Sequence, residues 1–267
     1  QASFLPDGTE QKVKFRSVVC GQSFRKGVDC DHNTFAPCAQ LTTCRVMLHD
    51  AILNNKRWKS TDIKQAFTFG QSSHRTFVKC PPGRTQQYDD DGNPLVYEIT
   101  GNLYGSPGAP RQWHIALHNA LVAFGMQQSC VDASLYFKDG LTCLCYTDDL
   151  LSTYTDSPEG QAMYDEFITM IKQKFELGDD GHQDCTDFIG IHFEFNANRS
   201  SCIMTQPQKI SELVSSSGLD TCRPSYTPGI PNVLVSDRDC PDKDDHNQLD
   251  FMQDKPYRSR IRQPRSL

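Results

Sequence analysis

Hydrophobic and polar positions follow two different periods along the chain, and together they predict a mixture of strands and helices. Short apolar stretches with partial alternation indicate strands, because neighbouring side chains on a strand point to opposite faces. The segments that we predict as strands are residues 12–24, a stretch ending at Val78, 95–99, 135–137, 141–146, 149–154, 188–195 and 202–204. Since the apolar runs 141–146 and 149–154 follow each other almost directly, they form a hairpin with its tip at Thr147-Asp148.

Four segments show the spacing of helices: residues 40–55, 111–125, 157–175 and 207–217. The third has the clearest start, with Ser157 as N-cap and Pro158 at the first helical position. In the first, we expect Val46, Met47 and Leu53 to face inward and Asp50 to point outward. The inward stripe of the second is Trp113, Leu117, Ala120, Leu121 and Phe124.

The composition permits a packed core. The chain has 267 residues, of which 37% are hydrophobic and 22% charged, so bulk disorder is excluded. No apolar run approaches the roughly 20 residues of a membrane span. The start has no initiator Met and no secretory signal pattern, which favours a fragment or a processed, intracellular product.

Twelve cysteines are scattered at irregular spacing without a CxxC pair, so we expect reduced thiols packed as small hydrophobes rather than a zinc site or a disulfide frame. The closest pair is Cys143 and Cys145. We expect it to remain unbonded because side chains alternate between faces along a strand.

Charge argues in both directions about a nucleic-acid partner. The net charge of −6 disfavours phosphate contacts. Residues 1–60, however, carry nine Lys and Arg against five Asp and Glu, a local net charge of +4 that favours such contacts. The acidic residues collect at 89–91, 179–180 and 237–254.

The candidate chemistry centres on Asp148 and Asp149 at the tip of the predicted hairpin. A turn can bring two adjacent carboxylates near one hard cation such as Mg²⁺, which prefers oxygen ligands. Asp62, in an apolar-flanked segment, is the leading candidate for a third carboxylate. A solvated turn is the alternative for Asp148-Asp149 taken alone, and a helix or turn cap is the alternative for Asp62.

Nine blocks of sequence, in order, carry a resemblance to a known family. They are Lys14-Phe15-Arg16, Val18-Val19-Cys20-Gly21, Gly27-Val28-Asp29 with Thr34-Phe35-Ala36-Pro37, Asp62-Ile63-Lys64-Gln65-Ala66-Phe67, Pro81-Pro82-Gly83, Leu103-Tyr104-Gly105 through Ala109-Pro110-Arg111-Gln112-Trp113, Tyr146-Thr147-Asp148-Asp149, Phe188-Ile189-Gly190-Ile191 and Thr227-Pro228. Residues 12–230 thereby resemble the reverse transcriptase of copia-type LTR retrotransposons.

The resemblance implies a fold and a domain plan. The fold is α+β, a right-hand polymerase with fingers and palm, an antiparallel palm sheet flanked by helices, and a partial thumb. Residues 1–11 would be an N-terminal flank, 12–195 the fingers and palm, and 196–229 the partial thumb and the start of the connection. Residues 230–267 would be a flexible tail, acidic and then basic.

The resemblance also implies the role of individual residues. Asp62, Asp148 and Asp149 would be catalytic and, with the backbone carbonyl of Ile63, would hold two Mg²⁺ ions, or Mn²⁺. The residues implied to bind the nucleotide are Lys14, Arg16, Phe67, Tyr104, Gly105, Tyr146 and Thr147, and those of the primer grip are Phe188, Ile189 and Gly190. Phe67 would exclude a 2′-hydroxyl, and Gly190 would let backbone approach backbone. Thr147 stands where the family usually has Val, which is nearly isosteric.

The implied function is RNA- and DNA-directed DNA polymerisation from dNTPs on a primed RNA or DNA template, in the cytoplasm within a virus-like particle, or in the nucleus. RNase H and integrase segments of the same polyprotein would be partners and are not in this sequence, which suggests truncation before RNase H. The alternative is a decayed remnant that keeps the fold and at most binds nucleic acid. A two-metal nuclease would use similar carboxylates but would not explain the nucleotide-pocket blocks.

Overall fold

A computed structural model of the protein describes residues 2–4, 10–13, 18–72, 74–81 and 83–223. Lys14, Arg16, Thr227-Pro228 and the predicted tail at 230–267 lie outside these ranges. The described residues divide into two compact units, one of residues up to 189 together with 193–203, and one of 190–192 and 204–223.

A six-stranded antiparallel sheet is the centre of the first unit, with the strand order β10-β3-β9-β8-β7-β6. Its strands are β3 (Lys56–Ile63), β6 (Gln127–Gln128), β7 (Leu135–Lys138), β8 (Leu141–Tyr146), β9 (Asp149–Thr155) and β10 (Leu177–Asp184). The hairpin predicted at 141–154 is therefore confirmed. Because β3 lies between β9 and β10, the segment that carries Asp62 is an interior strand of the sheet.

Smaller sheets complete the strand inventory of the described residues. Two pairs are formed by β1 (Ala2–Phe4) with β2 (Glu10–Val13) and by β4 (Thr76–Val78) with β5 (Tyr97–Ile99). A three-stranded sheet has the order β11 (Asp187–Phe188), β12 (Ile191–Phe195), β13 (Cys202–Thr205). Mixed helix and sheet with antiparallel pairing agrees with the predicted α+β class.

The four predicted helices are confirmed as α1 (Leu41–Leu53), α2 (Ala109–Ala123), α3 (Pro158–Lys174) and α4 (Pro207–Ser216). The Ser157 side chain accepts a hydrogen bond from Gly160 N at 3.1 Å, so the predicted N-cap of α3 is present. α2 and α3 bury their apolar stripes in one core with the sheet, where Leu121, Phe167 and Ile171 are fully buried. Each such side chain stabilises the fold by roughly 1.5–3 kcal/mol.

The inward face predicted for α1 is right for Met47 and wrong for Val46 and Leu53. Val46 and Leu53 do share a face, but they are 64% and 68% exposed. The buried residues are Cys44, Met47, Leu48 and Ala51. These four have the i, i+3, i+4, i+7 spacing of a helix stripe, and the small residues Cys and Ala supply half of it.

The strand predicted over residues 12–24 is also wrong beyond Val18. Val18 makes a single parallel bridge to Tyr104, and Gly21–Ser23 is a turn of 3-10 helix. The close approach of another loop explains the break, because a Cβ at Gly21 would collide with the carbonyl oxygen of Gly105. A glycine in a strand-like pattern can mark such an approach.

The cysteine prediction is confirmed for redox state and partly wrong for packing. The eleven cysteines among the described residues are free thiols, but Cys20, Cys38, Cys130 and Cys222 are exposed. Cys143 and Cys145 do not point to opposite faces. They are two residues apart and therefore share a face of β8, where both are buried with their sulfur atoms 4.0 Å apart.

Candidate active site

The β8–β9 hairpin presents Asp148 and Asp149 at its tip. Tyr146 and Asp149 pair across the two strands, which leaves Thr147 and Asp148 as a two-residue turn. Thr147 has a φ of 55°, in the left-handed region that β-branched residues avoid. Such a conformation costs on the order of 1–3 kcal/mol and persists only where surrounding contacts hold it, most often at functional sites.

Asp62 lies directly opposite Asp149. The register of β3 with β9 pairs Asp62 with Asp149 as the final step of the ladder. Directly opposite residues project from the same face of a sheet with their Cβ atoms about 4.5–5.5 Å apart. The backbone adds a second link, because Ile63 N donates a hydrogen bond to Asp148 O at 2.9 Å. Asp62 is thereby brought to the same end of the sheet as Asp148 and Asp149, which lie more than 80 residues later in the sequence.

The electrostatics of this group show that the carboxylates interact. Burial, followed by the charges of Asp148 and Asp62, raises the pKa of Asp149 to about 6. Like charges held close together without a compensating cation produce such a shift. A perturbed carboxylate is more frequent at functional sites than elsewhere.

Strand β10 confines the Asp62 side chain from the other side. Its pairing with β3 is irregular, running from Leu177 opposite Ile63 to His182 opposite Thr61. Gly178 lies in this irregular stretch, and a Cβ there would collide with the Asp62 carboxylate. A side chain at position 178 would therefore push the Asp62 carboxylate aside, and this β10 contact was missed because residues 178–184 have no apolar alternation.

The donor chemistry fits hard divalent cations, since three carboxylates can supply the oxygen ligands that Mg²⁺ prefers. Within the described part of the chain, no three acidic, His or Cys side chains converge in an arrangement that could already hold a metal ion. The carboxylates are thus neighbours that do not converge on one point in this structure. The proposed use of the Ile63 carbonyl stays a prediction.

Two of the residues assigned to nucleotide binding are in contact. The rings of Phe67 and Tyr104 lie 4.9 Å apart, centroid to centroid, and are tilted by 57°. Val19 N donates to Tyr104 O at 2.9 Å, and Gly105, at a φ of 88°, has no room for a Cβ beside Val19 O. The opening motif and the Leu103-Tyr104-Gly105 motif therefore meet backbone to backbone.

A small cavity joins Phe67 to the hairpin tip. Its lining includes Phe67, Thr147, Trp113, Pro110 and Cys145. Phe67 is only half-buried, so part of its ring remains exposed. The steric-gate role of Phe67 stays a prediction.

Tyr146 and the predicted primer grip are linked through one ring contact. The rings of Tyr146 and Phe188 lie edge to face at 6.5 Å. Burial, and then the neighbouring Cys38 thiol, raises the pKa of Tyr146. The close backbone approach expected at Gly190 stays a prediction, and within the chain itself a Cβ there would meet nothing within 4 Å. A glycine suits position 190 because of the backbone conformation there. Ile189 and Gly190 have φ values of 53° and 71° in a tight turn between β11 and β12.

Comparison with known protein families covers most of the chain. A family model described as reverse transcriptase (RNA-dependent DNA polymerase) matches residues 6–231. The chain belongs to the reverse transcriptase family. The ordered motifs and the carboxylates gathered at the hairpin tip are therefore those of a reverse transcriptase domain.

Curated relatives narrow the family to retrotransposons of the copia type, which confirms the resemblance. The chain is 28% identical over 234 residues to the retrovirus-related Pol polyprotein from transposon RE1 of Arabidopsis thaliana, covering 86% of this chain and 15% of that protein. It is 23% identical over 236 residues to the Pol polyprotein from transposon TNT 1-94 of Nicotiana tabacum, covering 86% and 17%. The chain thus spans about a sixth of these polyproteins.

The local positive charge predicted for residues 1–60 is partly neutralised in this reverse transcriptase domain. Arg57 pairs with Asp156 at 2.8 Å and Lys59 with Asp184 at 3.0 Å, so acids from later strands offset two of the nine cations. None of the described helices combines the length and the apolar character that a membrane span requires.

Two functional positions could not be read as such from the sequence. Trp113 was predicted as a core residue, and it is buried, but its indole N–H also donates to Thr147 O at 2.6 Å. Asp132 accepts bonds from the Thr43 hydroxyl at 2.6 Å and from Gln40 N at 3.3 Å, and so caps α1 from about 90 residues away. No local pattern marks either contact.

Proposed function

We propose that the chain is the DNA-polymerising core of a retrotransposon Pol polyprotein, copying a primed RNA or DNA template from dNTPs. The observation that carries the proposal is the opposition of Asp62 and Asp149 beside Asp148, close enough for their charges to raise a carboxylate pKa. Within the reverse transcriptase family, such a group is the natural place for nucleotidyl transfer.

Asp62, Asp148 and Asp149, with the Ile63 carbonyl, would hold two Mg²⁺ or Mn²⁺ ions. When bound, these ions lower the pKa of the primer 3′-hydroxyl and neutralise charge on the departing pyrophosphate. The protein's contribution is position. The carboxylates stand on an interior strand and a tight hairpin, which supports the preorganisation that electrostatic catalysis needs.

Phe67 would select deoxynucleotides. Its ring packs on Tyr104 and lines the cavity below the hairpin tip, so a sugar seated near Asp62 would meet a fixed aromatic surface. A 2′-hydroxyl pressed against this ring would be crowded and would lose its hydrogen bonds to water. Gly105 and Tyr146 would line the same pocket, and Lys14 and Arg16 would hold the triphosphate.

The domain plan follows from the same proposal. The six-stranded sheet with α2 and α3 would be the palm, within the fingers and palm at 12–195. Residues 196–229, including the amphipathic helix α4, would begin a partial thumb. RNase H and integrase segments of a Pol polyprotein would act with this domain.

The test is single-primer extension by the purified chain. Primed poly(rA) and primed poly(dA) are incubated with dTTP and Mg²⁺, and extension is measured for the native chain and for Asp148→Asn. We expect extension by the native chain and a loss of at least about 100-fold in the variant, because a charged ligand is removed. Asp90→Asn, in the exposed 88–94 loop, is the charge-matched control and should leave extension unchanged.

Two results would contradict the proposal. The first is no extension by a folded native chain in either Mg²⁺ or Mn²⁺, and the second is equal extension by the native chain and Asp148→Asn. Binding of the primed template without extension would favour the alternative of a remnant that keeps the fold.

A further inference from the structure

The hydrogen bond from Trp113 to the hairpin tip joins a buried helix residue to the carboxylate site. Trp113 is 2% exposed on α2, and its indole N–H donates to the Thr147 carbonyl at 2.6 Å. Packing alone would need the ring but not its N–H. The N–H adds a direct link between α2 and the hairpin tip.

The conformation of the hairpin tip explains what this hydrogen bond stabilises. Thr147 is held at a φ of 55° although it is β-branched, so the tip tends to relax toward another conformation. The peptide that follows Thr147 fixes the directions in which Asp148 and Asp149 project. Two successive carbonyls of the tip are bonded to separate elements, that of Thr147 to Trp113 on α2 and that of Asp148 to Ile63 N on β3.

The same indole ring also packs on the segment that leads into strand β10, which lies beside Asp62. Trp113 meets Phe175 edge to face at 5.0 Å, and Phe69 contacts both rings at 6.3 and 5.3 Å. Phe175 ends α3, and three residues later Gly178 lies against the Asp62 carboxylate. Trp113 therefore contacts the hairpin tip directly and packs on Phe175, which precedes the strand beside Asp62.

We propose that Trp113 is a positioning residue, which acts through the Thr147 carbonyl to hold Asp148 and Asp149 facing Asp62. This inference rests on the proposed function for its catalytic consequence, but its structural consequence can be measured without catalysis. Without the N–H donor, the tip is free to leave its left-handed conformation, and the three carboxylates no longer share one cation at the same affinity.

Trp113→Phe tests the inference because it keeps an aromatic ring and removes the donor. The matched control is Trp58→Phe. Trp58 is 1% exposed and packs on Phe193 at 5.4 Å, on the same strand as Asp62 but four residues away from it. Both variants lose the same atoms from a buried site, so both should lower the stability of the fold.

Three measurements separate the two variants. Hydrogen exchange of the peptide covering residues 144–151, without metal, should become about tenfold faster in Trp113→Phe, as expected for one lost hydrogen bond. The dissociation constant for Mn²⁺, from electron paramagnetic resonance of the free ion, should rise roughly three- to tenfold, in line with partial loss of one such bond. In single-nucleotide extension, kcat should fall about tenfold with little change in the KM for dTTP, the sign of an interaction that positions reacting groups. Trp58→Phe should match the native chain in all three, per folded molecule.

Equal tip exchange and equal Mn²⁺ affinity in Trp113→Phe and Trp58→Phe would overturn the inference and leave Trp113 as a core residue. If the native chain extends no primer while Trp113→Phe still loosens the tip and weakens Mn²⁺ binding, the inference stands and the proposed function fails. If Trp113→Phe does not fold, 3-benzothienylalanine at position 113 keeps the two-ring shape without the N–H, and the same comparisons decide.

Discussion

Removing one carboxylate of the proposed metal site is expected to stabilise the metal-free chain. In the native chain, the negative charge of Asp148 opposes the ionisation of Asp149, and Asp148→Asn removes that charge. Because burial and the charges of Asp148 and Asp62 raise the pKa of Asp149 from 3.8 to about 6, the folded state favours the protonated carboxyl. The resulting stability is fully present below pH 3.8 and is lost as the pH rises through about 6.

The size of the effect follows from the shift. A rise from 3.8 to about 6 corresponds to about 3 kcal/mol at 1.36 kcal/mol per unit. The Asp149 side chain is only half-buried, and solvent screening reduces this to roughly 1–2 kcal/mol. Burial is the largest cause and is unchanged in Asp148→Asn, so the variant should regain only about 0.5 kcal/mol at pH 8, or roughly 1–2 °C in melting temperature.

Urea unfolding at pH 5 and pH 8 in EDTA measures the difference directly. The native chain should lose stability between the two pH values, and Asp148→Asn should lose less. Asp90→Asn removes the same charge from an exposed loop and should follow the native chain. Adding millimolar Mg²⁺ at pH 8 should reverse the order, because only the native chain binds the ion tightly enough to gain stability. A variant less stable than the native chain at pH 8 in EDTA would refute the electrostatic reasoning.

Three further changes test other parts of the site. Phe67→Ala should raise the ratio of ribonucleotide to deoxynucleotide incorporation by about tenfold or more, since one lost steric contact is worth roughly 1–3 kcal/mol; Phe67→Tyr is the control, and an unchanged ratio in single-turnover assays would contradict the gate. Gly178→Ala should lower extension at least about tenfold by displacing the Asp62 carboxylate, whereas Gly108→Ala, where a Cβ meets nothing within 4 Å, should not; equal rates would refute the steric argument. Asp132→Ala should cost about 1–2 kcal/mol in urea unfolding, because α1 loses its cap, and a change below about 0.3 kcal/mol would contradict that role.

Local patterns were sufficient for the elements that depend on local order. The four helices and the 141–154 hairpin could be predicted because apolar periodicity, Ser157 and the turn at Thr147-Asp148 all act over a few residues. Asp148 and Asp149 were found in the same way. Asp62 was found from its apolar flanks and from the order of motifs, both of which are features of the linear sequence.

The remaining features depend on distant residues. Strand β10 is polar after Leu177 and pairs with the edge of β3, which no periodicity in 177–184 reveals. The buried face of α1 is chosen by the sheet beneath it, and the bond from Trp113 to Thr147 joins residues 34 apart. The sequence singled out Trp113 and Thr147 but could not show that they are bonded, and it did not reveal β10.

The difference between a solvated turn and a catalytic hairpin lies in register. Two adjacent aspartates at the end of a hairpin are common, and nothing within residues 141–155 distinguishes the two cases. The distinction comes from β3, which places Asp62 opposite Asp149 and has a strand on either side, so the third carboxylate cannot move away from the first two. A register shift of one residue would turn Asp62 to the other face of the sheet and end the interaction. The part of the Asp149 pKa shift that comes from the charge of Asp62 is thus a consequence of the strand register, and the three carboxylates lie together only while the β3–β9 ladder is in this alignment.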